Sequence, residues 1–220
     1  MNKNLVEFHK MFFTPVWVYQ YPDFVNDHEF LVRYLSQDDL YLVDRERNGL
    51  QTTKSNLHKD PKIQRLTDFV IESAKSSMED MGYLPSCGIT SMWATRQRKG
   101  GFHHMHSHAN SFLGGTFYLF DSGDASGTTF ANMDFNKYVI QPAEDSTKEK
   151  MLKSVYDIPF RMGSLILFPA WATHLTNPTE SNYRLVVAMN IMPIGKTNTD
   201  HYDRYNYSNP FEMDLKEYQE

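Results

Sequence analysis

The sequence predicts a mainly β fold, an antiparallel barrel or sandwich with helices packed on one side. Short apolar runs rich in β-branched and aromatic residues follow one another closely between residues 87 and 192. Helical patterns are confined to the N-terminal third of the chain. With 220 residues, 40% hydrophobic and 22% charged, the chain has the composition of a soluble globular protein with a substantial core.

The N-terminal third opens with a predicted strand over residues 12–21, where aromatic and β-branched side chains dominate. A short helix is predicted over 28–37, capped by Asn26 or Asp27. The polar chain that follows is irregular, with short strand pieces around 40–43 and 50–53.

The clearest helix follows Asp60, which is a good N-cap, with Pro61 at the first helical position. Gly82 provides the C-terminal stop. One apolar stripe at helical spacing predicts a scaffold helix that packs on a sheet, and it consists of Ile63, Leu66, Val70, Ala74 and Met78.

Strands dominate from Cys87 onward, and the lone Cys87 itself is expected to be a small buried hydrophobe. The turn at 121–127 is rich in Gly, Ser and Asp, and the charged segment 143–154 interrupts the β rhythm as a surface insertion. The predicted strands cover residues 88–95, 112–120, 128–130, 164–169 and 183–191, and residues 155–163 bring the chain back to the barrel after the insertion.

Four of the nine histidines fall within six residues, at His103, His104, His106 and His108. Alternate side chains of an extended strand share a face, so His104, His106 and His108 are expected to point the same way. Neutral imidazoles held side by side suit a divalent metal such as iron, zinc or copper. The cluster therefore predicts a metal site.

Two further features converge on this cluster. His174 lies just beyond the end of a short apolar strand. Arg184 opens the run RLVVAMN, a predicted strand whose two faces are both mainly apolar. A charged side chain within such a strand needs an anionic partner. We therefore expect Arg184 to point into a cavity and to hold a carboxylate there.

These residues carry a family resemblance. The chain resembles the iron(II)- and 2-oxoglutarate-dependent oxygenases, most closely a branch found in phage and bacterial genomes. The strongest piece is HSHANSFLGGTFYL at 106–119. The other pieces run in family order from about residue 12 to 192: FTPVW at 13–17, residues 49–52 with 56–58, residues 92–94, GSLILFP at 163–169, His174 and RLVVAMN at 184–190.

The resemblance implies a double-stranded β-helix (jelly-roll or cupin-like) core with helices on one sheet, in a single domain: helical support in the N-terminal third, a barrel at 87–192 and a tail at 195–220. It implies a hydroxylase that uses Fe(II), 2-oxoglutarate and dioxygen and releases succinate and carbon dioxide. His106, His108 and His174 would bind the metal. Arg184, Tyr118 and Asn190 would bind the cosubstrate, and His106, His174 and Arg184 would form the catalytic set.

His108 departs from the wider superfamily, whose second ligand is usually Asp or Glu. Either His108 binds the metal, or a carboxylate arrives from Asp121 or Asp124, or two histidines suffice with water. His104 could also compete with His108, because both would share a strand face.

Two other classes remain open: a non-oxidative cupin-like metal protein (a sensor or isomerase), and a structural jelly roll that binds no metal. Arg184 favours the oxygenase over the cupin-like protein, and the structural jelly roll predicts no stoichiometric metal. The substrate is a small molecule or a protein side chain; the net charge of −5 makes nucleic acid the least natural partner. No signal peptide or membrane span is predicted, so a cytoplasmic location is expected. The oligomeric state stays open, with a homodimer as the named alternative.

Overall fold

A computed structural model describes residues 13–42, 47–134, 153–197 and 211–213, together with 140, 143 and 147. Within these residues, two α-helices precede most of the strands, and short 3₁₀ turns occupy Asp38–Leu40, Leu57–Lys59 and Pro61–Ile63. The helices and strands are β1 (Trp17–Gln20), α1 (Phe24–Leu35), β2 (Leu50–Thr52), α2 (Gln64–Asp80), β3 (Cys87–Gln97), β4 (His103–His106), β5 (Leu113–Asp121), β6 (Thr128–Ala131), β7 (Val155–Ile158), β8 (Ser164–Pro169), β9 (His174–Thr176), β10 (Arg184–Pro193), β11 (Gly195–Thr197) and β12 (Phe211–Met213).

The strands form two facing antiparallel sheets. A six-stranded sheet has the order β1-β8-β5-β10-β3-β2, and a four-stranded sheet has the order β4-β9-β6-β7. Along the chain, β3 to β10 pass back and forth between the two sheets, which is the winding of a double-stranded β-helix. The predicted fold is therefore confirmed. In the tail, β11 and β12 pair as a separate ribbon.

Two apolar clusters lie on opposite faces of the six-stranded sheet. The larger cluster lies between the outer face of this sheet and the helices α1 and α2, and β10 contributes Leu185, Val187 and Met189 to the cluster. The smaller one lies between the sheets and contains Tyr118, Phe168 and Val186. The alternation predicted for β10 thus holds, because successive residues enter different clusters.

The predicted scaffold helix is present, with a tighter first turn. The Asp60 carboxylate accepts from the backbone N–H of Lys62 at 2.9 Å, and Pro61 opens a 3₁₀ turn before α2. Gly82 ends the helix with a φ of +80°, a conformation that glycine adopts without strain. Cys87 is a buried free thiol, as predicted, and burial raises its pKa.

Several predicted boundaries differ. Helix α1 begins at Phe24, before the predicted caps, because the backbone N–H groups of Asn26 and Asp27 already donate to the carbonyl of Asp23 at 3.0 Å. Strand β1 is shorter than predicted and begins at Trp17. Most of the charged segment 143–154 lies outside the described residues. Among the described helices, none has the length and apolar character needed to cross a membrane.

Candidate metal centre and adjoining cavity

Strand pairing places two of the predicted histidines side by side. In the antiparallel register of β4 and β9, His106 lies directly opposite His174. Their ring centroids are 4.2 Å apart. The pairing between β4 and β9 is irregular between His103 and His106, so the strand bends just before the first of these histidines.

His108 reaches the same place from a loop. The expectation that a single strand carries His104, His106 and His108 is wrong, because β4 ends at His106. The backbone N–H of His108 donates to the carbonyl of Ala170 at 2.9 Å, which ties this loop to the end of β8. As a result, the His108 ring lies 5.1 Å from that of His174 and 5.5 Å from that of His106.

Each of the three histidines offers one ring nitrogen to a shared space. These atoms of His106, His108 and His174 all lie within 4.8 Å of one another. Nε2 of His108 and Nε2 of His174 are 3.3 Å apart. Two nitrogen ligands bound at about 2.1 Å and near a right angle would be roughly 3.0 Å apart, so this spacing suits one divalent ion.

Nδ1 of each histidine has an oxygen as a hydrogen-bond partner, and Nδ1 of His106 also lies 3.0 Å from Nδ1 of His103. Nδ1 of His174 donates to the carbonyl of Ala172 at 2.9 Å, and Nδ1 of His106 donates to the carbonyl of His104 at 2.7 Å. Nδ1 of His108 donates to Oδ1 of Asn190. With the proton fixed on Nδ1, each Nε2 presents a lone pair, which is the usual arrangement around a protein-bound metal.

Burial keeps these imidazoles neutral. Removal from water lowers the pKa of His174 to about 3 and lowers the pKa values of His106 and His108. At neutral pH the three rings are therefore uncharged, as metal ligands must be.

Two contacts around His108 fix its ring. The Asn190 amide nitrogen donates to Oγ of Ser91 at 2.9 Å, so the Asn190 oxygen faces His108. A register shift in the β3–β10 pairing lies next to Asn190. On the other side, a Cβ atom on Gly114 would approach the His108 ring to 3.2 Å and Phe168 to 2.7 Å. Position 114 therefore has room only for glycine.

The alternative ligands lie elsewhere in the described structure. Asp121 accepts from the backbone N–H groups of Gly123 and Ala125 at 2.9 and 3.1 Å and so closes the turn after β5. Asp124, in the same turn, is not part of the histidine group. His104 is exposed and packs its ring against Phe102 at 4.9 Å.

A cavity of about 570 Å³ extends from the three histidines to Arg184. Its walls include the inner faces of β3 and β10, through Trp93, Thr95, Val186 and Ala188. None of the described residues that line it is acidic. The cavity therefore suits a molecule that carries negative charge at the Arg184 end.

Arg184 is buried at 2% exposure. Its Nε donates to the carbonyl of Ser126 at 3.0 Å, and its Nη1 donates to Oε1 of Gln97. The rings of Tyr118 and Phe160 lie 5.9 and 5.3 Å from the guanidinium carbon. Burial lowers the pKa of Arg184 to about 10, so the group is still charged at neutral pH. No described carboxylate lies within 4.0 Å of it.

The structure places the other two predicted cosubstrate residues behind the cavity wall. Tyr118 is fully buried, and its hydroxyl shares a 2.8 Å hydrogen bond with Thr128, which lines the cavity. Asn190 contacts His108 and Ser91. Sequence reasoning missed Ser91 and Gln97, although both share the alternation of Trp93 and Thr95 along β3.

The comparisons with known proteins agree with this geometry. Residues 91–190 match the sequence profile of the family described as "Putative 2OG-Fe(II) oxygenase". This segment belongs to that oxygenase family. It contains the three histidines and Arg184. The comparison with curated protein sequences found no match.

Solved structures share the fold of this chain. The 2-oxoglutarate-dependent epimerase SnoN of nogalamycin biosynthesis is 10% identical, covers 90% of this chain and 88% of its own, and has a TM-score of 0.60. HygX of Streptomyces hygroscopicus, solved with nickel and 2-oxoglutarate, is 12% identical, with coverages of 91% and 93% and a TM-score of 0.57. A Pseudomonas putida prolyl-4-hydroxylase is 12% identical, with coverages of 82% and 93% and a TM-score of 0.58.

Proposed function

We propose that this chain is an iron(II)- and 2-oxoglutarate-dependent oxygenase that hydroxylates its substrate and releases succinate and carbon dioxide. One observation carries the proposal: one ring nitrogen from each of three histidines converges at one end of a cavity, and a buried arginine without a carboxylate partner among the described residues lies at the other. A linear dicarboxylate that binds a metal through its oxoacid end fits between these two features.

The donor set fits iron. His106, His108 and His174 would hold the ion through Nε2, since their Nδ1 atoms are engaged by oxygens. Imidazole nitrogen suits iron, zinc, copper and nickel alike, so the family membership of residues 91–190 is what favours iron. When bound, iron would supply open coordination positions for the oxoacid and for dioxygen.

The protein's own groups orient the reactants. Arg184 would bind the distal carboxylate of 2-oxoglutarate, in a buried position where a guanidinium–carboxylate pair is strong. Tyr118 would influence this carboxylate indirectly. Its hydroxyl bonds to Thr128, which lines the cavity, and its ring lies beside the Arg184 guanidinium. Asn190 would act through His108, whose ring it fixes.

Titration with iron(II) followed by an assay of succinate tests the proposal. Wild-type protein should bind one iron(II) per chain and convert 2-oxoglutarate slowly to succinate without a second substrate. Arg184→Ala should raise the apparent constant for 2-oxoglutarate roughly 100-fold, because loss of a buried charge pair costs about 3 kcal/mol. Arg33→Ala, which removes an exposed arginine of α1, should change nothing. An unchanged constant in Arg184→Ala would place the oxoacid elsewhere.

The three-histidine donor set also favours a second candidate, a non-oxidative cupin-like sensor or isomerase. Such a protein has no need of the buried Arg184, so metal binding without any affinity for 2-oxoglutarate would support it. An epimerase and a carbocyclase share this fold, so the type of oxidation is a separate question. Analysis of the product by mass spectrometry distinguishes addition of oxygen from rearrangement.

A further inference from the structure

Gln97 contacts Arg184 through its side-chain oxygen, and its NH₂ group has no partner among the described residues. Gln97 is the last residue of β3 and lies opposite Arg184 in the register of β3 and β10. It is 1% exposed, and its side chain lines the cavity. Its Oε1 accepts from Arg184, whereas its Nε2 has no hydrogen-bond partner among the described residues.

The chemistry of the two groups fixes the orientation of this amide. A guanidinium offers only donors, so the amide oxygen of Gln97 has to face Arg184. The reverse orientation would set two N–H groups against each other. The NH₂ group of Gln97 therefore faces away from Arg184, and a buried donor in that situation calls for an acceptor.

Neither the Arg184 guanidinium nor the Gln97 NH₂ group has a carboxylate acceptor among the described residues. The acceptors that Arg184 does contact, the Ser126 carbonyl and the Gln97 amide, are uncharged. The described lining of the cavity contains no carboxylate that could satisfy either group. A ligand carboxylate has two oxygens, so one could accept from the guanidinium and the other from the amide.

We propose that Gln97 is a second recognition residue for the distal carboxylate of 2-oxoglutarate, with its Nε2–H donating to one carboxylate oxygen while Arg184 binds the charge. The inference rests on the proposed function and deepens it. Gln97 would thereby contribute to selection of a five-carbon dicarboxylic oxoacid. The informative comparison is 2-oxopentanoate, which has the same carbon chain but ends in a methyl group.

Calorimetric titration of the full, zinc-loaded chain with both oxoacids tests this role without turnover. Gln97→Met keeps the side-chain length and removes both polar atoms. It should weaken 2-oxoglutarate binding about tenfold or more, the effect of losing one hydrogen bond to a charged group. Binding of 2-oxopentanoate should change less than twofold. Gln64→Met, at the exposed start of α2, is the matched control and should bind both as wild type does.

A second measurement separates direct donation from mere support of Arg184. In ¹H–¹⁵N spectra of the wild type, the side-chain amide signal of Gln97 is identified by its loss in Gln97→Met. This signal should move when 2-oxoglutarate binds and stay in place with 2-oxopentanoate. A stationary signal on 2-oxoglutarate binding, or wild-type affinity in Gln97→Met, would overturn the inference alone. Failure of wild-type protein to bind 2-oxoglutarate would overturn the proposed function, and this inference with it.

Discussion

The imidazole of His108, in a loop after β4, donates from Nδ1 to the side-chain oxygen of Asn190 on β10. The two residues are far apart in sequence, and Asn190 is in turn held by Ser91. This contact directs Nε2 of His108 toward His174. His108 is therefore held in the orientation that a metal ligand needs, although it lies in a loop.

We therefore expect Asn190→Ala to weaken metal binding. Removal of the group that orients a metal-binding histidine typically lowers affinity 10- to 100-fold. Competition with a fluorescent chelator measures the effect. The matched variant Asn26→Ala, at an exposed position of α1, should retain wild-type affinity. Equal affinities in wild type and Asn190→Ala would mean that His108 needs no such support.

His108 itself can be tested by two substitutions. His108→Ala should weaken iron binding strongly, because only His106 and His174 remain as ligands. His108→Asp should preserve much of it, since a carboxylate oxygen also suits iron. Iron titration of wild type and both variants decides the point. An alanine variant with wild-type affinity would remove His108 from the ligand set.

Gly114 offers a test of packing around the same ring. A methyl group at 114 would press on His108 and Phe168, whereas one at Gly115 would press on Met189 and Leu167 on the other face of β5. Both Gly114→Ala and Gly115→Ala should lower the free energy of unfolding by about 1–3 kcal/mol. Only Gly114→Ala should also lower metal affinity. Equal metal affinities in the two variants would show that the His108 ring adjusts freely.

The buried histidines make the metal-free protein sensitive to acid. The pKa of His174 is lowered from 6.5 to about 3, so between these values the unfolded chain binds more protons than the folded one. Stability should therefore fall as the pH drops below 6.5. With a side chain only 6% exposed, His174 should account for about 2 kcal/mol between pH 7 and pH 5. Urea unfolding in the presence of a chelator measures this, and His174→Gln should show a smaller pH dependence.

The sequence predicts those features that depend on local alternation. In β10, the period of two separates Leu185 and Val187 from Arg184 and Val186, and the structure confirms this division. The same reasoning fails at His108, where the strand ends early because the backbone of His108 bonds to Ala170 instead of continuing the β4–β9 ladder. The three histidines nevertheless come together, through a loop that no periodicity describes.

Contacts across strands could not be predicted in this way. Gln97 meets Arg184, and Ser91 meets Asn190, because of the register between β3 and β10. Register depends on turns, bulges and the packing of whole sheets, and it is not encoded in either strand alone. A polar residue on the inner face of β3 can be recognised from the sequence, but its partner cannot.

The three histidines belong to different halves of the barrel. His106 and His174 lie on the four-stranded sheet, whose strands are only three or four residues long, whereas His108 is tethered to the six-stranded sheet through Asn190. A bound ion would therefore cross-link the four-stranded sheet to the six-stranded sheet, against which α1 and α2 pack. Metal loading should slow amide hydrogen exchange in β4 and β9 much more than in α2, because the ion would tie the short strands of the four-stranded sheet to the larger sheet.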